Sequence, residues 1–112
     1  MAALVALADT LRSMAFGTIT NAYQALGTPL THTCRIFRLI NATDGDMLIS
    51  IDGSTDQFFL PANSFVLYDL AANPERGSEM FVLEKGTQFY VKFVTAPTVK
   101  RVAIEVIYGR GQ

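Results

Sequence analysis

Residues 87–95 read Thr-Gln-Phe-Tyr-Val-Lys-Phe-Val-Thr, and residues 100–108 read Lys-Arg-Val-Ala-Ile-Glu-Val-Ile-Tyr. In the first stretch Phe89, Val91 and Phe93 fall on one phase of a two-residue period, with Gln88, Tyr90 and Lys92 on the other. In the second, Val102, Ile104, Val106 and Tyr108 alternate with Arg101, Ala103, Glu105 and Ile107. Successive side chains of a strand point to opposite faces, so alternation this long specifies half-buried antiparallel strands. The class is therefore all-β.

The same pattern recurs upstream, over residues 35–40, 46–52, 57–60, 64–70 and 79–84. Asp44-Gly45 is a turn pair suited to positive φ, Asp52-Gly53 and Lys85-Gly86 separate further strands, and Pro61 halts the third of these strands. Residues 71–78, with Pro74 and Gly77, form the longest loop. Short strands punctuated by turns every roughly 8–12 residues predict an antiparallel β-sandwich, jelly-roll-like, of seven to eight strands over residues 17–112. The segment near 18–26 is the candidate eighth.

Residues 1–16 read differently. Leu4, Leu7, Leu11 and Met14 fall at helical spacing, with Ala8 and Ala15 between them, and Gly17 ends the pattern. A short N-terminal helix or arm is expected. A helix of that length is marginal alone in water, so it should dock on something, and Leu4, Leu7 and Leu11 become candidate contact residues. The opening run lacks a basic region and ends at Asp9, which is too short for a secretion signal. No run reaches the ~18 apolar residues of a membrane helix, so a soluble chain without a membrane partner is expected.

The chain has 112 residues, the size of one domain. Half of them are apolar and 17% are charged, against a typical charged share of about 25%. A surface this poor in charge points to cover by partners. The net charge of −1 and the lack of a basic stripe argue against autonomous nucleic-acid binding. Cys34 is the only cysteine, so no internal disulfide or cysteine-rich metal site can form.

Two groups of residues invite a chemical reading. His32, the only histidine, lies two positions from Cys34 and on a strand would share its face. No orienting carboxylate or oxyanion loop lies near them in sequence, so the structural reading is preferred and no enzyme is expected. Asp44, Asp46, Asp52 and Asp56 cluster around two glycine turns. Oxygen-rich loops can hold Ca²⁺, but this spacing is not that of an EF-hand, and hairpin turns need Asp and Gly for backbone reasons alone. A glycosidase carboxylate pair is disfavoured because no tryptophan is present to stack a sugar. No catalytic, metal or cofactor residue is assigned, and a ligand- or calcium-binding sandwich stands as an alternative. The aromatic set Phe58, Phe59, Phe65, Tyr68, Phe81, Phe89 and Phe93 reads mostly as core. Tyr90, on a polar phase, is a candidate contact residue, as is the loop around Asn73 and Arg76.

The stretches Arg38-Leu-Ile-Asn-Ala-Thr-Asp-Gly-Asp46, Ile49-Ser-Ile-Asp-Gly-Ser54 and Phe59-Leu-Pro-Ala-Asn-Ser-Phe-Val-Leu-Tyr-Asp69 resemble small virion structural proteins of tailed bacteriophages. Gly86-Thr-Gln-Phe-Tyr-Val91 and Val102-Ala-Ile-Glu-Val-Ile-Tyr-Gly109 fit the same style, so the resemblance covers about residues 33–109. It implies a β-sandwich repeated as a homo-oligomer among other virion proteins: portal, neck, tail or capsid. A homomeric ring at the head–tail junction is the first expectation and a capsid decoration protein the second. Assembly in the host cytoplasm and residence in the virion follow from either. The resemblance brings no active-site residues with it.

Overall fold

The structure, a computed structural model, describes residues 6–70 and 83–109. Nine strands run through them: β1 (Ala6–Ala8), β2 (Arg12–Ala15), β3 (Gln24–Ala25), β4 (Ile36–Asn41), β5 (Met47–Ser50), β6 (Phe58–Leu60), β7 (Ser64–Asp69), β8 (Tyr90–Phe93) and β9 (Arg101–Gly109). They form two antiparallel sheets. Sheet A has the order β1-β9-β4-β7, with β2 also on β9, and sheet B has the order β3-β8-β5-β6. The chain crosses between sheets after β2, β3, β4, β6, β7 and β8, which is the double Greek-key path of a jelly roll. The expected all-β sandwich is the observed fold.

Strand alternation fixes what lies between the sheets. Phe37, Leu39, Val102, Ile104 and Val106 come from sheet A; Met47, Ile49, Leu60 and Val91 come from sheet B, with Phe89 entering β8. All are buried, each contributing on the order of 1.5–3 kcal/mol by leaving water. Phe37 packs on Phe58, Tyr68 and Phe89, joining both sheets through one aromatic cluster. A polar clamp adds to it. The buried Asn41 amide donates to the carbonyls of Gly45, Leu60 and Pro61 at 2.8–3.1 Å, while its oxygen accepts from the Thr43 backbone and hydroxyl. Gly45 does not take the positive φ expected of its turn; it is required there because a Cβ would stand 2.2 Å from the Thr95 carbonyl oxygen.

Of the helix or arm expected over residues 1–16, the described part is not a helix. Ala6–Ala8 and Arg12–Ala15 are strands β1 and β2, both paired with β9, followed by a 3₁₀ turn at Phe16–Thr18. The misleading spacing has a physical source. Leu7 pairs with Tyr108 and Met14 with Val102, so both face the same side although seven residues apart. Residues 9–11 oppose only 105 and 106, a bulge that inserts one residue and shifts the phase. A bulged strand thereby shows the odd apolar spacing of a helix. The docking surface supplied by the nine-residue β9 outweighs local propensity.

The bulge is held by a buried charge. Arg12, 3% exposed, donates from Nε to the Thr28 carbonyl (2.6 Å), from Nη1 to that of Thr10 (2.8 Å) and from Nη2 to that of Pro29 (2.9 Å). The Asp9 carboxylate lies 3.6 Å from Nη2. Gly27, at φ +71°, packs directly on the Arg12 stem, where any Cβ would come within 2.7 Å. Among the described residues no helix is long and apolar enough to cross a membrane.

Candidate functional site: the outer face of sheet A

Each sheet has one face in the core and one face outward. On sheet A the outward rows follow from the register. Ile40 stands between Phe65 and Ala103, Arg38 between Leu67 and Glu105, and Ile36 between Asp69 and Ile107. Most of these side chains are apolar, on a face that alternation would ordinarily make polar. Phe65 and Leu67, on the edge strand β7, are 62% and 57% exposed. Leu11, carried outward by the bulge at the opposite edge, is 58% exposed. Between these rims lies a groove of about 570 Å³ lined by Ile36, Arg38, Glu105 and Ile107.

One ion pair crosses the groove. Arg38 donates to Glu105 Oε1 from Nε (2.8 Å) and Nη2 (2.6 Å), and its guanidinium also lies over the Phe65 ring at 5.2 Å. A solvent-exposed pair of this kind is worth roughly 0–1 kcal/mol, so it is not what holds the fold together. Its effect is to place one donor and one acceptor side by side in an apolar surround.

The contact residues expected from sequence are scattered. Leu4, Asn73 and Arg76 lie outside the described residues. Leu7 is half-buried opposite Tyr108, and Leu11 forms a rim of the groove. Tyr90 is on the outer face of sheet B, its ring 3.3 Å from where a Cβ on Gly53 would be, so the 52–53 turn covers it. Phe59 and Phe65, read as core, are exposed: Phe58, Leu60, Val66 and Tyr68 take the inward phase of their strands. Arg38, Phe65, Leu67 and Glu105 are the residues that sequence reasoning missed as a surface. The signal was present in β4, where Ile36, Phe37, Leu39 and Ile40 place apolar groups on both phases.

The two chemical candidates separate on inspection. Cys34 is fully buried, donates to the Ile36 carbonyl at 3.4 Å, and burial pushes its thiol up to about 11. His32 instead stacks flat on Tyr108, with centroids 3.7 Å apart. Its Nδ1 lies 3.1 Å from the Thr31 hydroxyl and 3.9 Å from Asp9. Burial raises the Asp9 carboxyl, but the Thr10 amide, the Thr31 hydroxyl and Arg12 outweigh it and hold it below the ordinary value.

The four turn aspartates are each engaged separately. Asp44 accepts from the Thr98 amide and hydroxyl, which hold its carboxyl low. Asp46 accepts from the Ala62 amide at 2.9 Å. Asp52 is held well below the carboxylate range by the amides of Ser54 and Thr55 and the Ser50 hydroxyl. Asp56 accepts from the Tyr23 hydroxyl (2.6 Å) and pairs with Lys92 (3.2 Å). Among the described residues no three His, Cys, Asp or Glu side chains converge as metal ligands would. None of the family models, curated proteins or solved structures compared with the chain matches it.

Proposed function

We propose that the chain is a structural subunit of a tailed-phage virion, forming a homomeric ring at the head–tail junction. The observation that carries this reading is the apolar outer face of sheet A. Phe65, Leu67 and Leu11 rim a groove floored by Ile36 and Ile107, on a chain with only 17% charged residues. A monomer that kept this face in water would present a patch of the kind that marks protein contacts. Repeated around a symmetry axis, contacts through such faces add up by closure. The phage assignment comes from the sequence resemblance over residues 33–109, and the jelly roll, a fold used in viral capsids, agrees with it. In this reading the subunit has no catalytic role and acts through its surfaces.

Quantitative mass spectrometry of purified particles, counting copies of this chain per copy of major capsid protein, tests the reading. A count on the order of ten per particle supports the ring on the head–tail axis. A count comparable with the capsid protein moves the subunit to the capsid surface as a decoration protein. Absence from the particle overturns the structural reading altogether.

A further inference from the structure

We propose that the outer face of sheet A seats a second copy of this chain, the two related by a two-fold axis that runs along the strands between β4 and β9. This deepens the assembly reading above and rests on it. The argument is one of register and charge. β4 and β9 are the central strands, and Arg38 and Glu105 are directly opposite each other in that register. A two-fold between these strands lays β4 of one copy over β9 of the other. It therefore lays Arg38 over the second copy's Glu105, and the reverse. The same operation lays β7 over the other copy's β1–β2 edge, bringing Leu67 to the height of the bulge that carries Leu11.

The Arg38–Glu105 pair at the centre of the face complements its own two-fold image. Glu105 receives both bonds from Arg38 on Oε1 alone, through Nε and Nη2. Among the described residues Nη1 and Oε2 take no partner, so each copy offers one donor and one acceptor to its image. Stacking turns two separate pairs into a closed ring of four alternating charges. The exposed apolar rims enclose it, where water screens the charges less. Facing sheets pack about 10 Å apart, a spacing that the long Arg38 and Glu105 side chains can bridge from both sides. The contact is isologous and closed, so a ring built from such pairs needs a second contact elsewhere on the subunit.

Native mass spectrometry of the full chain provides the test, with Arg38→Glu and Glu105→Arg examined alone and mixed. At the central pair, Arg38→Glu leaves two carboxylates side by side and Glu105→Arg two guanidiniums. Each variant alone should repel its own image and weaken pairing by roughly 10–100-fold. The equimolar mixture should form a heterodimer, which an ion pair acting only within one chain cannot produce. Both substitutions sit on the surface, and circular dichroism matching the wild type verifies the fold. A wild-type chain that stays monomeric, or a mixture that forms no heterodimer, overturns the proposal and gives the face to a different occupant. A monomer in solution together with about ten copies per particle would sink the pair and leave the virion role standing.

Discussion

The two outer faces of this sandwich are built from the same kind of antiparallel sheet and differ in what their outward side chains do. On sheet B the polar groups bind one another. Tyr23 donates to Asp56, Lys92 pairs with Asp56 and lies 4.6 Å from the centre of the Tyr23 ring, and Tyr90 is covered by the turn at Gly53. On sheet A the outward rows carry Ile36, Ile40, Phe65, Leu67 and Ile107 around one ion pair. Sheet B engages its outward polar groups within the chain and exposes Phe59 alone at its edge, whereas sheet A exposes Phe65, Leu67 and Leu11 on the two rims of one groove. The outward phase of a strand therefore distinguishes the two faces, even where the inward phases look alike, and the proposed pairing rests on that difference.

Both faces rest on a common frame, and breaking that frame should have the largest effect. Asn41→Ala removes the amide that ties β4 of sheet A to the Leu60 and Pro61 carbonyls beside sheet B. The Gly45, Leu60 and Pro61 carbonyls and the Thr43 donors each lose a hydrogen bond, although Thr43 Oγ1 still reaches Gly45 and Ser64 Oγ still reaches Pro61. This should cost about 2–4 kcal/mol in urea unfolding. The loss should be shared by both faces, and a variant as stable as the wild type would mean the clamp is dispensable.

A smaller effect should isolate sheet B. The Tyr23 hydroxyl, and then Lys92, hold the Asp56 carboxyl below its ordinary 3.8. A depressed carboxylate stabilises the fold above its unfolded value and loses that contribution as pH falls through the lower folded value. Wild type should melt slightly above Asp56→Asn at pH 7, and the gap should close well below pH 3.8. A gap independent of pH would assign the difference to shape rather than charge. Self-association should be the same in both chains at pH 7, since this network is on the other face.

Much of this contrast is legible in the sequence, and its limits are instructive. The strands β4 to β9 follow from alternation and from the Asp-Gly and Lys-Gly turns, and the outward set of Ala103, Glu105 and Ile107 reads directly from β9. The N-terminal strands do not. The bulge at residues 9–11 puts Leu7 and Met14 in phase across an odd spacing, and sequence alone cannot distinguish that from a helical turn. Nor does sequence reveal that Arg12 is buried, because its partners are backbone carbonyls brought up by the fold. An aromatic side chain alone reads as core, and only the phase of Phe65 against the inward Val66 and Tyr68 turns it out to solvent.

Sedimentation equilibrium of the full chain tests the central claim most directly, comparing wild type with a Phe65→Ser/Leu67→Ser variant of sheet A and a Phe59→Ser variant of sheet B. Phe59 is exposed to the same degree as Leu11 and Leu67, so it controls for apolar area alone. The account predicts that wild type and Phe59→Ser self-associate alike and that the sheet A variant is monomeric with an intact fold. A wild-type chain monomeric at every concentration, or association lost through Phe59 and kept without Phe65 and Leu67, would contradict it.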